Sequence, residues 1–299
     1  MKKNKRTHLM DSMLEEFLIK PGSKINLSEF QTSYTGKFSS KEEAEELLKE
    51  NIKKMQKLQA KLYAEDKYSV LIIFQALDAA GKDGTIKHVM SGLNPQGTEV
   101  FSFKQPSSEE LDHGFFWRIN KALPERGRIG IFNRSHYEEV LVVRVHNLVK
   151  NQRIPDDLVT DNIWKIRFRE INEFEKYQYE NGTIIIKFFL HVSKEEQKKR
   201  FLQRIERKSK NWKFSASDIE ERKYWNEYVK SYEEAISSTS KPHAPWYVIP
   251  ADKKWFMRLA VSSIIIESFK KLNLSFPKLS EEQVEKLQEY KSMLEKESN

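Results

Sequence analysis

Ser69-Val70-Leu71-Ile72-Ile73-Phe74-Gln75, followed by Ala76-Leu77-Asp78-Ala79-Ala80-Gly81-Lys82-Asp83-Gly84-Thr85, is the stretch on which the fold is decided. The first part is an apolar run of strand length. The second is a turn built of small residues. Ile86-Lys87-His88-Val89-Met90 then begins an amphipathic pattern. Strand, glycine-containing turn with a lysine, then helix is the layout of a phosphate-cradling P-loop. Successive backbone N–H groups and the helix N-terminus point at an anion, and Lys82 adds a mobile positive charge. The usual pattern is G-x-x-x-x-G-K-[ST]. Here Ala76 stands for the first glycine and Asp83 for the hydroxyl residue that touches Mg²⁺. Asp78 puts a carboxylate inside the turn, where it repels phosphate. That implies a bridging cation, for which Mg²⁺ suits both carboxylate and phosphate oxygens. An ordinary βα turn with a surface lysine would use the same residue types, so the rest of the chain has to decide.

Working outward, the order is strands alternating with helices. Ser40 with Glu43 reads as a capping box for a helix to about Ala64, with Leu47, Leu48, Ile52, Met55, Leu58 and Leu62 as its core stripe. Asn94-Pro95-Gln96-Gly97 is a turn, Thr98 to Phe103 a short strand, and residues 106–123 a helix. Arg128 to Asn133 is an apolar strand followed at once by Arg134-Ser135-His136-Tyr137-Glu138-Glu139. Residues 135–149 and 156–181 read as helices and Thr183 to Val192 as the most apolar strand. Ser193 with Glu196 caps the next helix, broken by Asn211-Trp212-Lys213-Phe214-Ser215. Residues 217–237 are helical. Ala244 to Pro250 is a last strand, Asp252 caps a helix to Leu272, and Ser280 to Gln283 caps a C-terminal helix. Such alternation predicts an α/β fold, a parallel sheet with helices on both faces. With no repeat and no low-complexity linker, one domain over residues 1–299 is expected. Residues 1–38 form an N-terminal arm anchored by Phe17, Phe30, Tyr34 and Phe38.

Bulk properties narrow the chemistry. The chain has 299 residues and no cysteine, which excludes disulfides, thiolate metal sites and cysteine nucleophiles and fits a cytoplasmic protein. No stretch reaches the ~18 apolar residues of a membrane span, Leu259 to Ile266 being the longest candidate. The basic N-terminus lacks an apolar core and a small-residue cleavage site, so no signal peptide is expected. Net charge is +8, from 52 basic and 44 acidic residues, a weak pointer to anionic partners. No Ser-His-Asp arrangement is legible, and His136 and His191 lack metal-ligand spacing and read as structural.

Three positive centres recur: Lys82 in the turn, Arg134 where a central strand ends, and Arg200, Arg204 and Arg207 at spacings that share one helical face. Polar groups bunched at a strand end are what an open parallel sheet places at its ligand-binding edge. A salt bridge from Arg134 to Glu138 or Glu139, and a solvated basic helix, are the plainer explanations. Lys199 and Lys210 fit the solvated part.

Asp78-Ala79-Ala80-Gly81-Lys82-Asp83-Gly84, Asn133-Arg134-Ser135-His136-Tyr137-Glu138, Trp212-Lys213-Phe214-Ser215, and Ala244 to Asp252 with Trp255 resemble the family-2 polyphosphate kinases. The blocks follow the family's order from about Lys41 to Leu272. The resemblance implies a three-layer P-loop kinase fold with a helical lid, placed at about residues 193–216. It implies Mg²⁺-dependent transfer of a terminal phosphate between inorganic polyphosphate and AMP or ADP, giving ADP and ATP, and the reverse. Asp78 and Lys82 match the turn's acid and lysine, Arg134 the arginine after the second strand motif, and Arg200 to Arg207 the lid. Polyphosphate is expected along Gly81, Lys82, Asp83, Gly84, Thr85, Arg200, Arg204, Arg207 and Lys208. The nucleotide is expected at Asp78, Arg118, Asn133, Arg134 and Glu138, and Mg²⁺ at Asp78 and Asn133. His88, Lys121 and Trp255 are further candidates for the nucleotide pocket.

Asn133 departs from the family's commoner aspartate. Asn here with Glu138 resembles the members that phosphorylate AMP as well as ADP. Losing one carboxylate reduces repulsion with an additional phosphate or shifts the metal. The nucleophile, a terminal phosphate oxygen, is largely ionised near neutral pH and needs no strong base. An ATP-dependent nucleotide kinase of the same fold and a non-catalytic polyanion-binding protein are the competing readings. Nucleic acid and membrane are not expected as partners, and a homo-oligomer is.

Overall fold

The computed structural model describes residues 15–38 and 40–297. Its sheet holds β1 Ser69–Gln75, β2 Thr98–Ser102, β3 Ile129–Asn133, β4 Thr183–His191 and β5 Trp246–Pro250. The order is β2-β3-β1-β4-β5 and every pairing is parallel. The longer helices are α1 Lys41–Glu65, α2 Lys82–Val89, α3 Ile163–Glu180, α4 Lys194–Glu206, α5 Trp225–Thr239, α6 Lys254–Lys270 and α7 Glu281–Lys296.

β1 is central because it is apolar on both faces, and all of it is buried. Val70, Ile72 and Phe74 enter one cluster with α1, α2 and α6. Leu71 and Ile73 enter another with α3 and α5. The sheet is therefore the middle of three layers, as the alternation of elements predicts. Register positions the site: Phe74 pairs with Asn133 and Gln75 with Phe189. β1 and β3 end level, so the turn after one and Arg134 after the other share the sheet's carboxyl edge.

Helix starts follow their caps. Ser40, Ser193 and Ser280 accept hydrogen bonds from the N–H groups of Glu43, Glu196 and Gln283. The apolar run Leu259 to Ile266 is the middle of α6, buried all round against α1 and the sheet. Its two serines are satisfied by Asn51, whose Nδ2 donates to Ser262 Oγ at 2.9 Å and Ser263 Oγ at 3.1 Å. Among the described residues no helix is long and apolar enough to cross a membrane. The arm docks through Phe17, Tyr34 and Phe38, whose rings lie 6.0, 6.1 and 6.1 Å from that of Phe256. Phe30 packs on the opposite cluster. The part of the arm over residues 1–14 lies outside the described residues. Every residue of α7 is exposed.

Several elements differ from expectation. Residues 106–123 form two single turns, Ser108–Leu111 and Trp117–Asn120, because the chain bends at Gly114 to turn Phe115 and Phe116 toward the α3 cluster. Residues 135–149 form short turns, because Leu141 (φ −115°, ψ −90°) and the left-handed Asn147 interrupt the helical path. α3 starts only at Ile163, after the turn Asp156–Leu158 that follows Pro155. Asp252 does not cap α6. Its carboxylate accepts from the N–H of Ser193 at 2.9 Å and the hydroxyl of Thr32 at 2.7 Å, and Lys253 takes the cap position.

Under β4 lies a buried ion pair. Lys187 Nζ donates to Glu175 Oε2 at 2.5 Å, the Tyr137 hydroxyl at 2.8 Å and the Thr239 carbonyl at 2.8 Å. His136 Nε2 is 3.3 Å from Glu175 Oε1, so His136 is a packed core histidine, as its spacing predicts. Burial raises the Glu175 carboxyl, but the Lys187 ammonium and the His136 contact outweigh it and hold it below the usual range. Removing one partner strands the other charge. Glu175→Leu should cost about 3–5 kcal/mol in urea unfolding, and adding Lys187→Met should recover most of that loss.

Candidate functional site

The turn between β1 and α2 is shaped by where its carbonyls go. Ala79 is left-handed at φ +59° and Gly81 has φ +115°, which a side chain would strain. The carbonyl of Ala76 accepts from Lys82 Nζ at 2.7 Å and that of Asp78 from Gln197 Nε2 at 2.9 Å. The carbonyls of Ala79 and Ala80 accept from Arg200 Nη1 at 3.0 and 2.6 Å. The first helical bond of α2 runs from Thr85 N–H to Gly81. Among the described residues the N–H groups of Gly81, Lys82, Asp83 and Gly84 have no acceptor. Four consecutive donors at a helix N-terminus form an anion cradle.

Arg134 meets this cradle from β3. It is left-handed at φ +65°, and its N–H donates to Phe74 at 3.0 Å, continuing the strand ladder one step. Nη2 lies 2.9 Å from Asp78 Oδ1 and Nη1 3.4 Å from Glu138 Oε2. The sequence-level alternative, an ion pair to Glu138, is thus present together with a bond to Asp78. Asn133 Nδ2 donates to Asp83 Oδ1 at 2.9 Å. Burial raises the Asp83 carboxyl, but that hydrogen bond and Lys213, Lys82 and Arg204 hold it below its usual range. Burial, then the Arg134 charge, pushes the Lys82 ammonium down to about 8, against the pull of Asp78, Glu138 and Asp83. Two cations confined this closely are a site that an anion relieves.

Beside Arg134 and Glu138 opens a cleft of about 1180 Å³, with Arg118 on its wall. Arg118 Nη1 donates to the Lys104 carbonyl at 2.8 Å, and the guanidinium lies over Phe103. On the other side of the turn, α4 leads into residues 207–224. Arg204 pairs with Asp218 at 3.4 Å, and Lys213 lies 3.7 Å from Asp83. Arg207 and Lys208 are exposed.

Two expected phosphate contacts lie elsewhere. Thr85 is fully buried, its hydroxyl returned to Gly81 O at 3.0 Å and packed on Met257, because helix position and burial turn it inward. Arg200 is 4% exposed and spends its guanidinium on backbone carbonyls, so the three arginines do not present one face. Arg207 lies beyond the last turn of α4. Lys121 stacks on Trp117, His88 bonds to the Gly84 carbonyl within α2, and Trp255 packs on Phe256; none of the three lines the cleft. Missed were Gln197, Lys213, Asp218, Lys254 and Arg258. Lys254 is pushed down to about 8 by burial and by Arg200, Lys210 and Arg258, and Arg258 approaches Gly84. Their i, i+4 spacing on α6 was the available signal.

Residues 37–277 match the sequence family Polyphosphate kinase 2. The chain belongs to that family. It is 50% identical over 265 residues to an ADP-polyphosphate phosphotransferase of Rhodopseudomonas palustris, covering 88% of this chain and 92% of that one. It is 43% identical over 265 residues to an AMP/ADP-polyphosphate phosphotransferase of Meiothermus ruber, covering 88% and 96%. The fold matches a crystal structure of polyphosphate kinase 2 from Arthrobacter aurescens with a TM-score of 0.83 at 37% identity, covering 90% and 92%. The protein is a polyphosphate-dependent phosphotransferase of the P-loop kinase type.

Membership implies a divalent metal. Among the described residues no three His, Cys, Asp or Glu side chains gather as a metal cage. A hard cation shared with phosphates needs only one or two carboxylates. Asp78, and Asp83 with its hydrogen-bonded Asn133, fit that requirement.

A phosphate chain bound against Lys82 would raise its ammonium from the low value it has without ligand. Binding near pH 8 should therefore take up a proton, and affinity should fall as pH rises above about 8. Calorimetry in buffers of differing ionisation enthalpy, with Lys82→Met as the silent control, measures this.

Proposed function

We propose that the protein moves the terminal phosphate of inorganic polyphosphate onto AMP and ADP, giving ADP and ATP, and catalyses the reverse. The observation that carries this reading is the convergence of Lys82, Arg134, Asp78 and Glu138 on a cradle of unpaired N–H groups beside a nucleotide-sized cleft. Polyphosphate lies along Gly81 to Gly84, then past Arg204, Arg207 and Lys208, with Lys254 and Arg258 extending the basic path. The nucleotide occupies the cleft, its phosphates toward Arg134 and Arg118. Of the lid expected over residues 193–216, α4 is the anchored base and the stretch from 207 onward the part that closes, held across the turn by Lys213 and Asp83.

An oxygen of the nucleotide's terminal phosphate forms the new P–O bond to the end phosphorus of polyphosphate. The bridging P–O bond breaks and its electron pair stays on the shortened chain. No strong base is required. Lys82 and Arg134 neutralise charge that spreads over the transferred group, and the N–H cradle fixes its position. Asp78 orients Arg134 through the 2.9 Å bond. Mg²⁺, when bound, would be held by Asp78, Asn133 and Asp83 and would neutralise phosphate oxygens.

Asn133 supports use of AMP. Its amide donates to Asp83, so an aspartate there would set two carboxylates against each other where the additional phosphate must come. Asn133→Asp should lower the AMP/ADP activity ratio by roughly an order of magnitude, the scale of a partly screened charge contact. An unchanged ratio would remove Asn133 from the specificity argument. Lys82→Met should reduce kcat by about 10²–10³-fold, the effect of losing a principal transition-state charge contact.

The direct test supplies AMP, Mg²⁺ and long-chain polyphosphate with no ATP. ADP and then ATP should appear. Reaction of ADP alone would restrict the acceptor to ADP. Silence with polyphosphate, together with AMP phosphorylation by ATP, would establish the ordinary nucleotide-kinase reading instead.

A further inference from the structure

We infer that Arg200 is a positioning residue: it holds the phosphate turn in its anion-binding form from behind and does not touch polyphosphate. The inference rests on the proposed binding of polyphosphate at that turn. A guanidinium has five N–H donors. Here Nε donates to Glu196 Oε1 at 2.8 Å, Nη1 to the carbonyls of Ala79 and Ala80, and Nη2 to those of Ala251 and Asp252 at 2.7 and 3.1 Å. No donor is left for a substrate, and the residue is 4% exposed.

The geometry explains why the turn needs it. N–H groups can face an anion only if the carbonyls of the same peptides turn away, and buried carbonyls turned away need donors. Arg200 supplies them for Ala79 and Ala80, and Gln197, one turn earlier on α4, supplies the Asp78 carbonyl. The planar fork spans two loops, the one after β1 and the one after β5. A lysine, with one flexible ammonium, cannot hold both. Gly81, at φ +115°, holds a backbone form that a side chain would strain; a Cβ there would crowd Met257 at 3.3 Å, while Arg200 at 3.8 Å would sit at ordinary contact distance. The support is continuous with the arm: Asp252 also accepts from Ser193 and Thr32. Because Glu196 neutralises the buried charge, Arg200 should release no counterion when a polyanion binds.

That last property separates holding from touching. A residue in contact with a polyanion contributes roughly one unit to the slope of log affinity against log salt. The experiment measures kcat, polyphosphate KM over a range of KCl, and thermal stability for wild type, Arg200→Gln, Arg200→Lys, Gln197→Ala and Arg207→Gln. Arg200→Gln should lose about 10²-fold in kcat, the penalty of a slightly misplaced reacting group, with an unchanged salt slope. Arg200→Lys should fall between it and wild type, and Gln197→Ala should lose roughly tenfold. Arg207→Gln should flatten the slope by about one unit. A slope flattened by Arg200→Gln would make Arg200 a direct contact and overturn the inference. So would a folded Arg200→Gln with wild-type kcat. If Arg200→Gln does not fold, wild-type kcat in both Arg200→Lys and Gln197→Ala would overturn it equally. Wild-type turnover with polyphosphate, run alongside, tests the underlying reading: without it that reading falls and takes this one with it, and with it the variants decide the inference alone.

Discussion

A loop can present its N–H groups to an anion only when something else takes its carbonyls. In this protein that requirement reaches through the whole fold. The central strand β1 ends level with β3, so the turn emerges beside Arg134. α2 begins with a bond to Gly81 and leaves its own first donors open. α4 rises from β4 beside the turn and carries Gln197 and Arg200 to the carbonyls of Asp78, Ala79 and Ala80. β5 ends where Arg200 can also reach Ala251 and Asp252. The parallel sheet brings these loops to one edge, which is why such sheets bind ligands there.

Electrostatics then decides what the cradle accepts. Lys82 and Arg134 repel each other, and burial presses Lys82 further toward its neutral form. Asp78 and Glu138 compensate in part by pairing with Arg134. The compensation is uneven: the Glu138 and Asp78 carboxylates hold Arg134 firmly charged, while burial still leaves the Lys82 ammonium below its usual range. A neutral ligand would gain nothing from this arrangement. A phosphate chain bound there would relieve Lys82, and a shared divalent cation would offset its repulsion with Asp78 and Asp83.

Much of this was legible from residue order. The strand, turn and helix around Lys82 appear as local pattern, and so does Arg134 after an apolar run, because these contacts lie within a few residues of one another. The alternation of strands and helices fixes the parallel three-layer architecture for the same reason. What was not legible depends on distant segments. Arg200 reads as one of three arginines on a helix face. Only the meeting of loops after β1 and β5 shows that its donors are consumed. Asp252 looks like a helix cap, and only the nearness of Thr32 and Ser193 shows a different role. The helix predicted over residues 106–123 breaks where Phe115 and Phe116 are drawn into the core, and that over 135–149 where Leu141 and the left-handed Asn147 leave the helical path, which periodicity alone does not register.

The consequence for mechanism is a division of labour along α4. Its first turns are anchored: Gln197 and Arg200 are buried and committed to the turn. Its last turn is held less: Arg204 pairs with Asp218 at 3.4 Å and lies over the Phe201 ring, and Arg207 is exposed. Residues 207–224 are nonetheless linked back to the anchored end: Arg222 donates to the side chain of Gln197 and to the Lys194 carbonyl, so motion of that stretch would be felt at the cradle through Gln197. Among the described residues, the contact between Lys213 and Asp83, at 3.7 Å and partly exposed, is the one ion pair between that segment and α2. Exposed pairs of this kind contribute little, so this pair alone does little to hold the segment. Asp83 also accepts from Asn133, which places Lys213 and the strand-end amide on one carboxylate. A cation drawn to Asp83 would therefore compete with Lys213, and a phosphate drawn to Lys213 would compete with Asp83; by either route, occupancy of the proposed site and the position of residues 207–224 would be linked.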